Sequence, residues 1–150
     1  SATGVARTAR EFLELREDPS LLRNMPIEDI TSKDGYAAAM AGDKLAQKVF
    51  EYTGNILGEA LADFTVFSAP VAVVLFGGLA KSGELLLKPL RESMERNMLS
   101  IWKGKVKILS SELKEAEAAV LGASALGWEA KSVTSTMAQP SSTAPAAPVA

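Results

Sequence analysis

The chain has 150 residues, 47% of them hydrophobic, and a formal net charge of −2, which fits one domain or part of one with a sizeable core. It contains no cysteine and no histidine, which excludes a disulfide framework, thiolate chemistry and the commonest metal ligand and general base near neutral pH. No basic stripe, membrane-length apolar run or signal-peptide pattern is present. We therefore expect a cytoplasmic protein that binds neither nucleic acid nor a membrane.

The first forty residues predict short helices separated by turns. One helical face of the first helix is formed by Val5, Ala9, Phe12 and Leu13. The pattern weakens near residues 18–19, and a second short helix is expected over residues 20–24, before Pro26. A Thr or Ser at 31–32, followed by Asp34, predicts the N-cap of a further helix that runs to Met40.

A long helix is predicted over residues 44–67, with Asp43 as its cap. Apolar residues recur three or four positions apart along it. Gly54 and Gly58 lie inside this helix, where each glycine costs about 1 kcal/mol relative to alanine. We expect these two glycines to permit close packing against another element.

The stretch Val71–Phe76 is a run of six apolar residues, half of them β-branched, and predicts a strand buried on both faces. Gly77 and Gly78 follow directly. In open α/β sheets, ligands bind beyond the carboxyl ends of strands, and glycines without a Cβ let a ligand lie against the backbone. A plain turn with small residues for packing is the alternative interpretation of this pair.

Two common phosphate-binding patterns are excluded at this stretch. A P-loop requires glycine directly before Lys-Ser, but Ala80 precedes Lys81-Ser82. The dinucleotide fingerprint G-x-G-x-x-G is not matched either, because the glycines here are spaced Gly-Gly-x4-Gly. Any ligand at this stretch is therefore held in another way.

A helix is predicted next over residues 84–98, with Pro89 as a kink or a restart. Its buried stripe is expected to comprise Leu86, Leu90, Met94 and Met98. Residues 105–109 alternate polar and apolar side chains, as a strand at or near a sheet edge does. The strand-helix-strand unit should be parallel and right-handed.

The last predicted helix runs from Glu115 to about Glu129. Its small residues suggest close packing against a neighbour: Ala119, Gly122, Ala123 and Ala125. From Lys131 onward Ser, Thr, Ala and Pro dominate, a composition that buries too little apolar surface to order itself. We therefore divide the chain into residues 1–130, a partial lobe, and residues 131–150, a disordered tail.

The predicted sheet is incomplete. Parallel sheets normally contain more than two strands and are covered on both faces. Only residues 106–109 are available to pair with Val71–Phe76 on one side, and an exposed apolar edge would invite aggregation. We therefore expect a missing N-terminal part or a partner chain to complete the sheet.

Three ordered segments resemble the C-terminal portion of ROK-family sugar kinases, the group that includes many bacterial glucokinases. They are GDKLA at 42–46, VAVVLFGGLA at 71–80 and AVLGASALG at 119–127. The resemblance covers roughly residues 1–130, and SATG at 1–4 is similar to the segment after that family's zinc loop. It implies part of a ribonuclease-H-like (actin-like ATPase) lobe, an α/β fold that is mostly helical.

The resemblance also implies a function and a set of ligands. ATP, with Mg²⁺, and a hexose meet in a cleft between two lobes, where an aspartate acts as general base. The family's glycine pair faces the adenosine of ATP, a role that carries over to Gly77, Gly78 and Leu79. Family members commonly form homodimers, and their zinc site would lie upstream of this chain.

Several family features are absent from these 150 residues. There is no Asp-x-Gly-x-Thr phosphate hairpin, no segment with the catalytic aspartate, and no zinc-binding Cys or His. No residue here is therefore assigned a catalytic role. The carboxylates are interpreted as caps or solvated faces: Asp34, Asp43, Asp63, Glu112, Glu115 and Glu117.

Three functions remain open at this point. The first is part of an ATP-dependent hexose kinase. The second is the same lobe in a sugar-responsive ROK transcriptional repressor, which adds a DNA-binding element upstream and often loses nucleotide binding. The third is a helical interaction module whose glycines only pack. The intact pair Gly77-Gly78 favours the kinase.

Overall fold

The computed structural model describes residues 1–113 and 115–137. The chain divides into two compact units, residues 1–112 and 113–150. The elements of the first unit are α1 (Ala2–Leu15), α2 (Ser32–Met40), α3 (Lys44–Ser68), β1 (Ala72–Leu75), α4 (Glu84–Asn97) and β2 (Lys107–Ser110). Short 3₁₀ turns cover Leu21–Asn24, Ile27–Asp29 and Ala80–Ser82. In the second unit the described helix is α5 (Glu115–Met137).

The main core lies among α1, α2 and α3. The predicted apolar face of α1 is confirmed, since Val5, Ala9 and Leu13 are buried and Phe12 packs against the same cluster. Further members come from the turns and from α3, where Phe50 is the largest fully buried side chain. This core fixes the position of α1 against α3.

The helix starts follow the predicted caps. Thr31 and Asp34 form a complete capping box, in which Thr31 Oγ1 accepts from the Asp34 N–H and Asp34 Oδ2 accepts from the Thr31 N–H. Asp43 caps α3 by accepting from the Ala46 N–H at 3.0 Å. Its other carboxylate oxygen accepts from Ser20 Oγ at 2.7 Å and from the Leu21 N–H at 2.6 Å. Asp43 therefore also ties the first 3₁₀ turn to α3.

The crossing of α3 and α4 is the most extensive contact between elements, and it depends on the two predicted glycines. A Cβ on Gly54 would lie 2.7 Å from Pro89 Cγ and 2.9 Å from the Leu86 carbonyl oxygen. A Cβ on Gly58 would lie 2.5 Å from the Leu90 carbonyl oxygen. The prediction that these glycines permit close packing is confirmed.

Pro89 does not restart the helix, because α4 is continuous from Glu84 to Asn97 with Pro89 inside it. The ring packs against Gly54 of α3 instead of clashing with a side chain there. The predicted buried stripe of α4 is confirmed, with Leu86, Leu90, Met94 and the C-cap Met98 all buried.

The strands β1 and β2 pair in parallel, with Val73 opposite Ile108 and Val74 opposite Leu109. This confirms the predicted parallel strand-helix-strand unit and the predicted fold class. Both strands differ in extent from the prediction, since β1 is shorter than Val71–Phe76 and β2 starts at Lys107. Among residues 1–112, β1 pairs with a strand on one side only.

The prediction that the strand at Val71–Phe76 is buried on both faces is wrong, because only one face is covered. Val73 and Ile108 pack on a second cluster formed by Ala62, Met94 and Met98. The opposite face is open, because Val74 is 60% exposed and Phe76 is 50% exposed. The physical reason is that α3 and α4 both cover the same side of the sheet.

α5 extends to Met137, beyond the end predicted near Glu129. Its small residues Ala119, Gly122, Ala123 and Ala125 are exposed, and their packing partner stays a prediction. The division at residue 130 into lobe and tail also stays a prediction, and residues 138–150 lie outside the described residues. Of the helices that the structure describes, none is apolar enough over a sufficient length to cross a membrane.

Candidate functional site

The turn after β1 is built around Gly77. Its φ is +100°, in the left-handed region that residues with a side chain rarely adopt. The Ala80 N–H donates to the Gly77 carbonyl at 3.1 Å, and the Lys81 N–H donates to the Gly78 carbonyl at 3.2 Å. The chain therefore leaves the strand abruptly, passes through a 3₁₀ turn and enters α4.

Gly77 has open space where a side chain would be. A Cβ built on it meets no atom within 4 Å, and Gly78 is exposed. Packing against the rest of the protein does not explain Gly77, in contrast to Gly54 and Gly58. The turn instead presents a stretch of accessible backbone at the carboxyl end of β1, where α/β sheets place ligands.

Leu79, next in the chain, connects this turn to a cavity of about 330 Å³. The cavity lies between α1 and α3, and its size is at the lower end for small-molecule sites. The lining residues are Ser1, Gly4, Val5, Arg7, Thr8, Glu11, Tyr52, Thr53, Ile56, Leu57, Ala60 and Leu79. We call this space the α1–α3 cavity. Leu79, α1 and α3 therefore surround one volume.

The polar groups of the α1–α3 cavity belong mainly to α1. Arg7 Nε lies 3.6 Å from Glu11 Oε1, one helical turn away, and both side chains are largely exposed. Thr53 Oγ1 donates to the Val49 carbonyl within α3. Tyr52 packs its ring against Phe12, with centroids 5.6 Å apart, yet remains 48% exposed. Apolar surface is therefore left available inside the cavity.

The structure brings Gly77, Gly78 and Leu79 together at one turn, as their adjacency in sequence requires. Sequence reasoning missed the cavity beside them, because nothing in the sequence places α1 against α3. One signal was available. Tyr52 and Ile56 belong to the apolar pattern of α3, but they are not part of its buried core, and both are about half exposed.

The carboxylates predicted as caps or solvated groups behave in that way where they are described. Hydrogen bonds from Thr31 hold the pKa of Asp34 below its ordinary value. Asp43 is the second cap. Asp63, Glu112 and Glu117 are exposed, and the side chain of Glu115 lies outside the described residues. Within residues 1–113 and 115–137, no group of three His, Cys, Asp or Glu side chains could hold a metal ion.

The known proteins that this chain resembles include glucokinases and transcriptional regulators. A sequence model described as the ROK family matches residues 2–130. A glucokinase from Halalkalibacterium halodurans is 34% identical over 96 residues, which are 63% of this chain and 29% of that protein. The transcriptional regulator NagC from Escherichia coli K12 is 30% identical over 102 residues, 68% of this chain and 25% of that protein.

A solved structure supports the same relation. A ROK-family glucokinase from Streptomyces griseus, in complex with glucose and AMPPNP, superimposes with a TM-score of 0.67 and 27% identity, covering 75% of this chain and 38% of that one. The chain thus spans well under half the length of each of these proteins. Because the family match covers most of the 150 residues and the fold agrees, this chain belongs to the ROK family.

Proposed function

We propose that this chain is part of a cytoplasmic, ATP-dependent hexose kinase of the glucokinase type, and that Gly77, Gly78 and Leu79 form the wall that contacts adenosine. The observation that carries the proposal is the glycine turn. Gly77 combines a φ of +100° with open space at its Cβ position, at the strand end where a ligand is expected. The similarity to two glucokinases supports the same assignment.

The chain's own contribution to the reaction would be binding and orientation. Phosphoryl transfer by kinases depends almost entirely on positioning and electrostatic stabilisation. The absence of side chains at Gly77 and Gly78 would let the nucleoside approach the backbone closely, and the α1–α3 cavity offers apolar surface beside it. Mg²⁺ would arrive with ATP and neutralise charge on its phosphates.

We expect the 150-residue chain by itself to transfer no phosphate, because it holds neither a phosphate hairpin nor an assigned general base. The chain would be incubated with ATP, Mg²⁺ and a panel of hexoses. Turnover of about 1 per second, a rate ordinary for enzymes, would contradict this expectation.

The adenosine wall is tested by Gly78→Asp in the full-length protein. Gly78 is not among the residues with positive φ, so a side chain is compatible with the backbone, but it would occupy space beside the ligand and repel the phosphates. We expect ATP affinity, measured by calorimetry, to fall at least tenfold with the melting temperature nearly unchanged.

The matched control for this test is Ser100→Asp, which adds the same charge at an exposed turn residue. It should bind ATP as the wild type does. Equal affinity of Gly78→Asp and the wild type would mean that Gly78 does not contact the nucleotide.

A ROK-type transcriptional repressor is the second candidate, and the similarity to NagC favours it. The two candidates differ in what the full-length protein does. A kinase phosphorylates a hexose in the presence of ATP and Mg²⁺. A repressor binds its operator DNA and releases it when a sugar is added. A helical module without either function would bind no ATP at all.

We also propose that a strand from outside residues 1–113 pairs with the free edge of β1, and that the complete protein is a homodimer. The hydrogen bonds from the Lys107 N–H to the Val71 carbonyl and from the Ser111 N–H to the Leu75 carbonyl direct these residues of β1 toward β2. Ala72 and Val74 therefore face the free edge. Unpaired edges of this kind attract other strands.

Amide hydrogen exchange and sedimentation test the free edge. In the 150-residue chain, the amides of Ala72 and Val74 should exchange much faster than those of Val73 and Leu75, and the chain should self-associate. The full-length protein should protect all four. A monodisperse 150-residue chain with strong protection throughout β1 would contradict the proposal.

A further inference from the structure

The α1–α3 cavity has an apolar interior and a polar mouth. Val5 is fully buried behind it, and Leu57, Ala60 and Leu79 contribute further apolar surface. Arg7 and Glu11 lie at the mouth, with side chains 77% and 55% exposed. A nucleoside likewise has an apolar and a polar part. Its base is flat and largely apolar on both faces, and its sugar carries hydroxyl groups.

Glu11 is the one carboxylate among the residues that line this cavity. An ionised carboxylate has only acceptor sites, so its partner in a ligand must be a hydrogen-bond donor. Glu11 forms an ion pair with Arg7, whose Nε lies 3.6 Å from Glu11 Oε1, beyond a good hydrogen-bond distance. An exposed i,i+4 pair of this kind is weak, which leaves the acceptor sites of Glu11 available to a ligand.

We infer that Glu11 accepts a hydrogen bond from the 2′-hydroxyl of the nucleotide's ribose and so selects ribonucleotides over deoxyribonucleotides. This inference rests on the proposed function, in which the nucleotide binds at Gly77, Gly78 and Leu79. Leu79 belongs both to that wall and to the cavity lining. A nucleoside that contacts Leu79 at the turn therefore also borders the α1–α3 cavity.

The exposure of Glu11 decides between the two kinds of donor that an adenine nucleotide offers, the amino group of the base and the hydroxyl groups of the ribose. The exocyclic amino group of adenine belongs to the base, which gains most from the apolar interior of the cavity. The ribose hydroxyls stay hydrated and fit the mouth. A carboxylate on a ribose 2′-hydroxyl is also an established solution in other nucleotide-binding folds. Glu11, at the mouth, is placed for the sugar.

The test compares Glu11→Ala with Glu14→Ala in the full-length protein. Glu14 is an exposed residue of the same helix that does not line the cavity, and alanine suits a helix at both positions. Calorimetry would give the dissociation constants of ATP, 2′-deoxy-ATP and inosine triphosphate. Melting temperatures would show that both variants fold.

The wild type and Glu14→Ala should bind ATP about tenfold more tightly than 2′-deoxy-ATP, the effect of one hydrogen bond to a charged group. In Glu11→Ala, ATP affinity should fall until the two constants are equal. Unchanged discrimination in Glu11→Ala would overturn the inference while leaving the proposed function intact.

Two other results would also overturn it. If Glu11→Ala instead loses discrimination between ATP and inosine triphosphate, which lacks the amino group, then Glu11 contacts the base. If the wild type binds none of the three nucleotides, the proposed function fails together with the inference. The three results are distinguishable from one another in a single set of titrations.

Discussion

The helix pair α3–α4 and the end of the small sheet place their glycines in opposite environments. At Gly58 a Cβ would lie 2.5 Å from a carbonyl oxygen and 2.8 Å from a backbone nitrogen of α4. At Gly77 a Cβ would meet nothing within 4 Å. One glycine permits helix packing, and the other keeps backbone accessible at a strand end. The surroundings of a glycine therefore separate helix-packing glycines from turn glycines, and the position of Gly77 directly after β1 marks the candidate site among the turn glycines.

The two regions also differ in how far they are complete. The helices α3 and α4 bury the apolar side chains that face each other, and Asp43 caps the start of α3. The sheet has two strands and one covered face, with Val74, Phe76 and Leu109 about half exposed or more. Stability of residues 1–112 therefore lies mainly in the helices, while the sheet end has room for a ligand and a further strand.

The largest expected effect on stability is that of Gly58→Ala. Because the added methyl group meets backbone atoms of α4, which cannot turn aside, the free energy of unfolding should fall by about 3 kcal/mol. Gly35→Ala in α2 is the control, since its Cβ would lie at an ordinary 3.9 Å from Phe50 Cε2. That variant should gain up to about 1 kcal/mol from helix propensity. Urea denaturation measures both, and an equal response would contradict the glycine comparison.

Asp43→Ala should have the next largest effect, about 2 kcal/mol, because it removes a helix cap and leaves the Ser20 hydroxyl and the Leu21 N–H without their acceptor. Burial alone raises the pKa of Asp43. Hydrogen bonds from Ala46, Ser20 and Leu21 outweigh that and lower its pKa below the ordinary value of 3.8.

A lowered pKa fixes the sign of the pH dependence. The contribution of Asp43 is fully present above about pH 4, the pKa in the unfolded chain, and is lost as the pH falls through the lower pKa of the folded state. Urea denaturation between about pH 6 and 3 should therefore show a smaller acid-induced loss in Asp43→Ala than in the wild type. Parallel curves for the two proteins would contradict this assignment.

The two faces of β1 differ in burial at adjacent residues. Val73 packs on the cluster of Ala62, Met94 and Met98, so Val73→Ala should lower the free energy of unfolding by about 1.5 kcal/mol for two lost carbon atoms. Val74→Ala, one residue on and 60% exposed, should change it by less than about 0.5 kcal/mol. Chemical denaturation of the 150-residue chain gives both values. Equal losses would mean that Val74 is covered in solution.

Local rules predicted the helices well because their signals lie within a few residues. The capping residues Thr31 and Asp43, the stripe of α4 and the parallel pairing could all be inferred from spacing and residue type. The burial of Val71–Phe76 could not. Six apolar residues show that the strand belongs in a covered sheet, but the number of layers present depends on elements that residues 71–76 do not encode.

Part of the candidate site could be predicted from the local sequence, and part could not. The turn at Gly77 and Gly78 was predicted because glycine pairs after a buried strand have a local meaning, and its role in nucleotide binding remains a prediction. The cavity was not predicted, because Glu11 and Leu79 are far apart in sequence and meet only through the packing of α1 on α3. The continuity of α4 at Pro89 could not be predicted for the same reason, because the proline ring packs against Gly54 of the neighbouring helix α3.

The junction between helix and sheet provides the smallest and last test. Ala69 ends α3 with a φ of +44°, where a Cβ costs roughly 1–2 kcal/mol and glycine is the usual residue. Ala69→Gly relieves that strain but makes the unfolded chain more flexible, which offsets up to about 1 kcal/mol. For Ala69→Gly, a net gain of about 0.5 kcal/mol in the free energy of unfolding is expected.

Ala41→Gly is the control, because Ala41 ends α2 with an ordinary φ of −76°. This variant should lose about 0.5 kcal/mol of stability. Thermal unfolding of the two variants should therefore shift in opposite directions, and a shift of the same sign in both would mean that Ala69 is not strained.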